Sequence, residues 1–177
     1  MFFRMLRISD FVSGIAVLLQ PQGIAVIEFA YAMDTIDHTE FDQVYHEHLC
    51  YFSLTAFESL CGQFDLTVVR VERIAMHGGS LRVFLAHQNA QTQDSTVHIL
   101  LDEEKTWGVA TVVPYRKFAQ RAEVLRENLL TLLHRLKAEG NRIVVYGASA
   151  KGSTLMHYCG IAASLVDSIV DRRTRKQ

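Results

Sequence analysis

The chain has 177 residues, of which 49% are hydrophobic and 21% charged. This composition is that of a globular protein and excludes wholesale disorder. Eighteen basic against nineteen acidic side chains leave a formal charge of -1, which gives no general attraction to nucleic acid or to an anionic membrane. Because the three cysteines, Cys50, Cys61 and Cys159, have no Cys-x-x-Cys spacing, we expect reduced thiols in a cytoplasmic protein rather than a disulfide framework.

The first part of the chain predicts a helix, a turn and a buried strand. An apolar run near the N-terminus imitates a secretory signal, but polar residues interrupt it, no cleavage motif follows, and it is too short to span a bilayer. Asp10 is a suitable N-cap for a helix that ends near Gln20. Residues 24–29 form a nearly continuous apolar run, which is typical of a parallel strand buried on both faces.

The next part predicts a long loop, a helix and two strands. Residues 32–53 are polar and aromatic without clean periodicity, which indicates a functional loop. A helix is predicted over 54–61, with Thr55 as its N-cap. Residues 66–74 and 81–87 read as strands joined by a turn with paired glycines, for which an antiparallel pair is the simplest arrangement.

The second half of the chain predicts helices and then a β-α-β unit. The polar segment 88–95 is the best candidate for a domain boundary. Helices are predicted over 96–107 and 114–139. They are followed by a strand at 142–146, a glycine-containing loop at 147–152, a helix at 153–159 and a strand at 168–171.

The densest polar cluster is Tyr45-His46-Glu47-His48, in the predicted loop after the first strand. A histidine can take a proton from a carbon acid, a carboxylate can orient it, and a tyrosine hydroxyl can donate to a developing enolate. His46 and His48 could instead bind a metal, although no third spaced ligand is evident. A solvated loop with hydrogen-bonded histidines is the structural alternative, and the residue types alone leave all three open.

Two further segments could contact a ligand. The loop 147–152 could direct backbone N–H groups and Lys151 at a phosphate, and Asp171 is similar to the ribose-binding acid of dinucleotide folds. A tight turn with a solvated lysine is the alternative. In residues 77–82, paired glycines allow close backbone approach to a ligand, and Ser80 and Arg82 are expected on one face of the strand. A structural hairpin loop is the alternative there.

Taken together, these pieces resemble the S-adenosylmethionine-dependent sugar C-methyltransferases that act on nucleotide-linked keto-deoxysugars. Four segments carry the resemblance in order, namely residues 41–48 with 51–53, residues 77–83, residues 146–152 and residues 170–171. The resemblance extends from about Asp10 to Asp171. It implies a small N-terminal zinc domain, a central class I methyltransferase domain and a C-terminal Rossmann-like domain, with the nucleotide sugar held between the last two.

The resemblance also implies a reaction and roles for particular residues. His48 is expected to remove the proton alpha to the sugar's 4-keto group, after which the enolate attacks the sulfonium methyl. Tyr45 is expected to stabilise the enolate and Glu47 to orient the base. Ser80, Arg82 and Lys151 are candidates for substrate or phosphate contacts.

We therefore predict an α/β fold. Residues 1–92 are expected to form the C-terminal part of a class I, Rossmann-like methyltransferase sheet, and residues 93–177 helices and the start of a second, incomplete Rossmann-like β-α-β domain. The zinc module and the glycine-rich loop that holds S-adenosylmethionine are not found in the sequence, and Ala30 stands where a proline is usual. We accordingly expect a fragment whose activity alone is doubtful, with S-adenosylmethionine as the family's cofactor and no metal.

The expected partners are a nucleotide-linked sugar, a separately encoded N-terminal half, or a second copy joined through open sheet edges. Neither nucleic acid nor membrane is expected. The alternative function is a non-catalytic nucleotide-sugar-binding or complementing partner module of a split or degenerate enzyme.

Overall fold

The computed structural model describes residues 7–76 and 78–172. Contacts divide the chain into a first unit of residues 1–40 and 47–115 and a second unit of residues 41–46 and 116–177. The first unit holds a three-stranded sheet and the second a two-stranded one. The chain is therefore a mixed α/β protein, as predicted. In the described ranges, no helix is long and apolar enough to cross a membrane.

The secondary-structure elements alternate along the chain. In order they are α1 (Ile8–Leu18), β1 (Ala25–Ala30), α2 (Ala32–Asp37), a short 3-10 helix (Phe41–Gln43), α3 (Leu54–Gly62), β2 (Leu66–Ile74), β3 (Ser80–His87), α4 (Ser95–Trp107), α5 (Val113–Ala138), β4 (Val144–Tyr146), α6 (Ala150–Cys159) and β5 (Ser168–Val170). The predicted continuous loop over residues 32–53 was wrong, because α2 and the 3-10 helix interrupt it.

The sheet of the first unit has the strand order β1-β3-β2. β3 is antiparallel to both neighbours, with Ile27 opposite Val83 and Val71 opposite Val83 from the other side. The antiparallel pair β2–β3 is confirmed. The parallel strand predicted at residues 24–29 was wrong, since β1 pairs with the returning arm of the hairpin. Strand β1 is also buried on one face only, because Val26 is 54% exposed.

One face of this sheet carries the core of the first unit. Helices α3 and α4 pack on β2, and α1 packs on α3. Apolar side chains from all these elements are buried together, among them Val12, Ile27, Phe29, Tyr31, Leu54, Phe57, Cys61, Val68, Val71, Leu81, Val83, Leu85, Val97 and Leu100. Burial raises the pKa of the Cys61 thiol to about 12. All three cysteines are free thiols.

The helix starts differ from those predicted. Helix α1 begins after Arg7 rather than Asp10, and these two side chains form an ion pair at 2.8 Å. Ser53 caps α3 by accepting from the N–H of Ala56 at 3.1 Å. Thr55 therefore lies inside the first turn of α3 and is not its cap. Asp94 caps α4 by accepting from the N–H of Thr96 at 2.8 Å.

The segment between β3 and α4 is bonded to the outer edge of β2. The side-chain amide of Gln93 donates to Val68 O at 2.9 Å, and the N–H of Asp94 donates to Val69 O at 2.7 Å. Helix α4 then packs on the same sheet. The first unit accordingly extends to Tyr115, and the domain boundary that we place after residue 92 stays a prediction.

The sheet of the second unit contains two parallel strands, β4 and β5, with α6 between them in the chain. This confirms the predicted β-α-β connection. Helix α6 begins three residues earlier than predicted, because Ser149 caps it by accepting from the N–H of Gly152 at 3.0 Å. The chain leaves β4 towards α6 through Gly147, whose φ of +103° suits a residue without a Cβ.

Candidate functional site

Two of the sequence motifs meet at the carboxyl end of β1. The N–H of Tyr31 donates to Gly79 O at 3.0 Å, and the N–H of Ala32 donates to Phe52 O at 3.0 Å. Tyr31 and Phe52 also form an isolated parallel bridge. The paired glycines and the Tyr51–Ser53 stretch thus converge on one strand end, which is the position where α/β proteins commonly bind ligands.

The paired glycines make room for two acidic side chains of the same unit. Gly78 and Gly79 have φ values of +88° and +131°. A Cβ on Gly78 would collide with the carboxylate of Glu40, and one on Gly79 would collide with the side chain of Asp34. Their predicted close approach is therefore made to this chain's own carboxylates. His77, which precedes them, lies outside the described residues.

A cleft of about 440 Å³ opens beside this turn, and none of its charged residues was singled out in the sequence. The Arg73 guanidinium forms ion pairs with Asp34 at 2.5 Å and with Glu103 at 3.2 Å. The His38 ring contacts Gly78 O through Nδ1 at 2.9 Å. Since a carbonyl only accepts, Nδ1 must carry the proton, which leaves Nε2 as an acceptor in the neutral ring. The i, i+4 spacing of Asp34 and His38 is the signal that could have revealed this side of the cleft.

Ser80 and Arg82, the predicted substrate contacts, are both engaged within the sheet. Ser80 is buried at the start of β3, and its hydroxyl donates to Met76 O at 3.2 Å. Arg82 lies directly across from Glu28 and Glu72 and forms ion pairs with them at 2.9 and 3.4 Å. A substrate role for these two residues stays a prediction.

The predicted catalytic residues follow the 3-10 helix. His48 is half-buried, and its ring centroid lies 6.5 Å from that of Tyr51 in an edge-on arrangement. Tyr45 has a similar arrangement with His46 at 6.3 Å. The division between units runs between His46 and Glu47, and the roles of Tyr45, Glu47 and His48 stay predictions. The described residues bring together no group of three or more His, Cys, Asp or Glu side chains that could hold a metal ion.

The loop before α6 is closed by hydrogen bonds of its own. The N–H of Gly147 donates to Val170 O at 2.7 Å, and the N–H of Ala148 donates to Asp171 Oδ2 at 2.7 Å. Lys151 is the second residue of α6 and is half-buried. Because these loop donors and the Asp171 carboxylate bind each other, the loop does not fit the glycine-rich site of S-adenosylmethionine.

The second unit has a cleft of its own, of about 400 Å³, lined by Val44, Ser153, Thr154, His157 and Tyr158. The Phe41 ring packs on the Tyr158 ring with 4.7 Å between centroids. The Tyr158 hydroxyl donates to Glu123 at 2.9 Å. Burial and this carboxylate raise the pKa of Tyr158, and the same hydrogen bond, together with Arg126, lowers the pKa of Glu123.

The fold and site define an α/β protein in which two sequence motifs meet at the end of β1. A family model described as the C-methyltransferase C-terminal domain matches residues 75–177, which is more than half of the chain. The chain therefore belongs to this family. It is also similar to the C-methyltransferase NovU of Streptomyces niveus, with 34% identity over 171 residues. The aligned region is 96% of this chain but 41% of NovU, so the chain spans less than half the length of this curated relative.

Proposed function

We propose that this chain is the C-terminal part of a cytoplasmic, S-adenosylmethionine-dependent C-methyltransferase that acts on a carbon next to the keto group of a nucleotide-linked deoxysugar. The observation that carries the proposal is the family match, together with the Tyr45–His48 motif that leads directly into the segment bonded to the end of β1. The similarity to NovU supports it over most of the chain.

The proposed architecture has two incomplete domains. Residues 1–92 would supply the end of a class I, Rossmann-like methyltransferase sheet, in which β1 and β2 run in the same direction on either side of β3. Residues 93–177 would supply the start of a second Rossmann-like domain, for which the parallel β4-α6-β5 unit is the support.

The proposed chemistry of this chain is enolisation. His48 takes the proton alpha to the ketone, Tyr45 donates a hydrogen bond to the oxygen on which negative charge develops, and Glu47 orients the base. A positioned general base contributes about 10²–10⁴-fold to a rate, and a donor aimed at the developing oxyanion adds to this. The loop before α6 does not fit S-adenosylmethionine, so the chemistry derived from this chain's residues ends at the enolate.

Three residues are proposed to contact the substrate. Ser80 still offers its hydroxyl oxygen as an acceptor, and Arg82 presents a partly exposed guanidinium on the less covered face of the sheet. Lys151 lies in the first turn of α6, where its charge and the helix N-terminus both favour a phosphate.

Deuterium incorporation tests the enolisation step without a methyl donor. The chain is incubated in D2O with a nucleotide-linked 4-keto-6-deoxysugar, and loss of the alpha-proton signal is followed by NMR. We expect His48→Gln to slow incorporation by roughly 100-fold or more, and Tyr45→Phe to slow it less. His46→Gln is the matched control, because it changes the neighbouring exposed histidine and should leave the rate unchanged.

Two outcomes would contradict the proposal. Equal rates for the wild type and His48→Gln would remove His48 as the base, and no incorporation by the wild-type chain would remove enolisation from this chain. Calorimetric titration with S-adenosylmethionine provides a separate check. We expect no tight binding, because the donors of the loop before α6 are already bonded.

A second candidate is a complementing partner of a separately encoded N-terminal half. Its support is apolar surface on the first unit. Val17 and Leu18 at the end of α1 are 81% and 83% exposed, and Val26 is exposed on an outer strand of the sheet. Light scattering distinguishes self-association of the purified chain from a monomer. A neighbouring reading frame with a glycine-rich loop and Cys-x-x-Cys pairs would favour the two-chain enzyme.

A further inference from the structure

Glu104 of α4 is a fully buried carboxylate that accepts four hydrogen bonds. Oε1 accepts from the Tyr31 hydroxyl at 2.8 Å and from the N–H of Leu54 at 2.5 Å. Oε2 accepts from the N–H of Thr55 at 2.8 Å and from its hydroxyl at 2.5 Å. A carboxylate has about four lone-pair sites, so every one is used, although its exposure is 0%.

Three of these bonds come from the first turn of α3. The first N–H groups of a helix have no partner within the helix, and burying them unpaired is costly. Leu54 and Thr55 donate theirs to Glu104, and Ala56 donates to the Ser53 hydroxyl. A side chain from a distant element therefore caps α3, and its negative charge suits the positive end of the helix.

Tyr31 links this cap to the end of β1. Its hydroxyl donates to Glu104 while its backbone bridges to Phe52 and donates to Gly79. Burial, and then the charge of Glu104, raise the pKa of Tyr31, so the hydroxyl keeps its proton and donates. The Arg73 guanidinium lies over the Tyr31 ring, 5.2 Å from its centroid.

The segment fixed by these bonds begins three residues after His48. The backbone of Phe52 is bonded at the end of β1, and the backbones of Leu54 and Thr55 are bonded to Glu104. Tyr51 comes just before these residues, and its ring contacts the ring of His48. We propose that Glu104 and Tyr31 form a positioning pair that anchors residues 51–55 and thereby sets the placement of His48. The importance of that placement for the reaction rests on the proposed function.

Hydrogen exchange and NMR on the full chain test this pair. In Glu104→Gln the amide NH2 replaces one of the two carboxylate oxygens and faces the N–H of Leu54 or of Thr55, so in either orientation a donor faces a donor. We expect amides of residues 50–55 to exchange roughly tenfold faster or more, while amides of β2 and β3 keep their rates. The His48 ring signals, assigned by their loss in His48→Gln, should shift and titrate differently. Asp102→Asn is the matched control, since it removes a carboxylate charge from an exposed position of the same helix.

The outcomes separate an anchor from a general stabilising residue. A uniform increase in exchange across the first unit, unchanged exchange at residues 50–55, or the same response in Asp102→Asn would each overturn the proposal. If Glu104→Gln does not fold, Tyr31→Phe decides, because it removes one donor and keeps the ring. It should show the same local pattern at smaller amplitude, and an unchanged His48 would overturn the proposal. Neither readout needs substrate, so failure of the deuterium test would remove the proposed function without affecting this result.

Discussion

The two sheets differ in how their apolar side chains are covered. In the first unit, Val68, Val83 and Leu85 are fully buried beneath helices. In the second unit, Val144, Ile169 and Val170 are between 42% and 50% exposed. Burial of apolar area is the main favourable term in folding. The described residues of the first unit therefore explain the stability of that unit far better than the described residues of the second unit explain the stability of the second.

This difference shows that the two units differ in how far each can be stable by itself. The first unit has a core, a polar cleft at which Arg73 forms ion pairs with Asp34 and Glu103, and a capped helix in the segment that follows the predicted base. Two parallel strands with one helix bury little apolar surface by themselves. We therefore expect the first unit to be the cooperative folding unit of the chain.

The largest effect should come from removing a core side chain of the first unit. Phe57→Ala deletes a fully buried ring that contacts Phe29 at 4.9 Å between centroids, and such changes cost about 3–5 kcal/mol. Urea unfolding followed by the fluorescence of the single tryptophan, Trp107, measures the loss, since Trp107 belongs to the first unit. Ile169→Ala in β5 is the contrast. An equal loss from both variants would contradict the difference between the sheets.

The second-largest loss of stability should come from substituting a glycine at the cleft beside the end of β1. Gly79→Ala forces a side chain into a φ of +131° and into Asp34, for which we expect a loss of about 2–3 kcal/mol in the free energy of unfolding. Gly140→Ala is the matched control, because its φ of +80° is also positive but nothing lies within 4 Å. It should cost about 1 kcal/mol. If the two variants unfold at the same urea concentration, the close contact with Asp34 adds nothing to the free energy lost in Gly79→Ala.

Local patterns predicted the elements well, whereas pairing between distant segments was harder to predict. Paired glycines between two β-rich runs were enough for the β2–β3 hairpin. The direction of β1 could not be predicted, because it is set by β3, more than fifty residues later. Helix α2 was missed since it is short and polar.

For the candidate sites too, residues adjacent in sequence could be predicted, whereas contacts between distant segments could not. The Tyr45–His48 motif is visible because its residues are adjacent in sequence. The Arg73–Asp34 pair and the Glu104 cap are not visible, since each joins segments far apart in the chain. Glu is ordinarily a surface residue, and only the convergence of donors from β1 and α3 explains one that is fully buried.

A smaller effect is expected from Arg82 in the middle of the first sheet. Arg82→Met keeps most of the aliphatic stem but removes the ion pairs with Glu28 and Glu72. Because all three side chains are partly exposed, the loss of stability should be at most about 1 kcal/mol. The substrate prediction is tested by the same variant, through calorimetric titration with a nucleotide-linked sugar. Weaker binding at nearly unchanged stability is expected, and unchanged affinity would restrict Arg82 to a structural role.

The smallest effect concerns the second unit and is visible only locally. Asp167 accepts from Lys137 at 2.8 Å and from the N–H of Ile143 at 2.7 Å, and these bonds lower its pKa. A lowered pKa in the folded state means that the contribution is present above the unfolded value of about 3.9 and is lost as pH falls through the folded value. The Ile143 amide shift should therefore titrate with a midpoint below that value. Lys137→Met should raise the midpoint. A wild-type midpoint equal to the unfolded value would show that the hydrogen bonds of Asp167 do not stabilise the second unit.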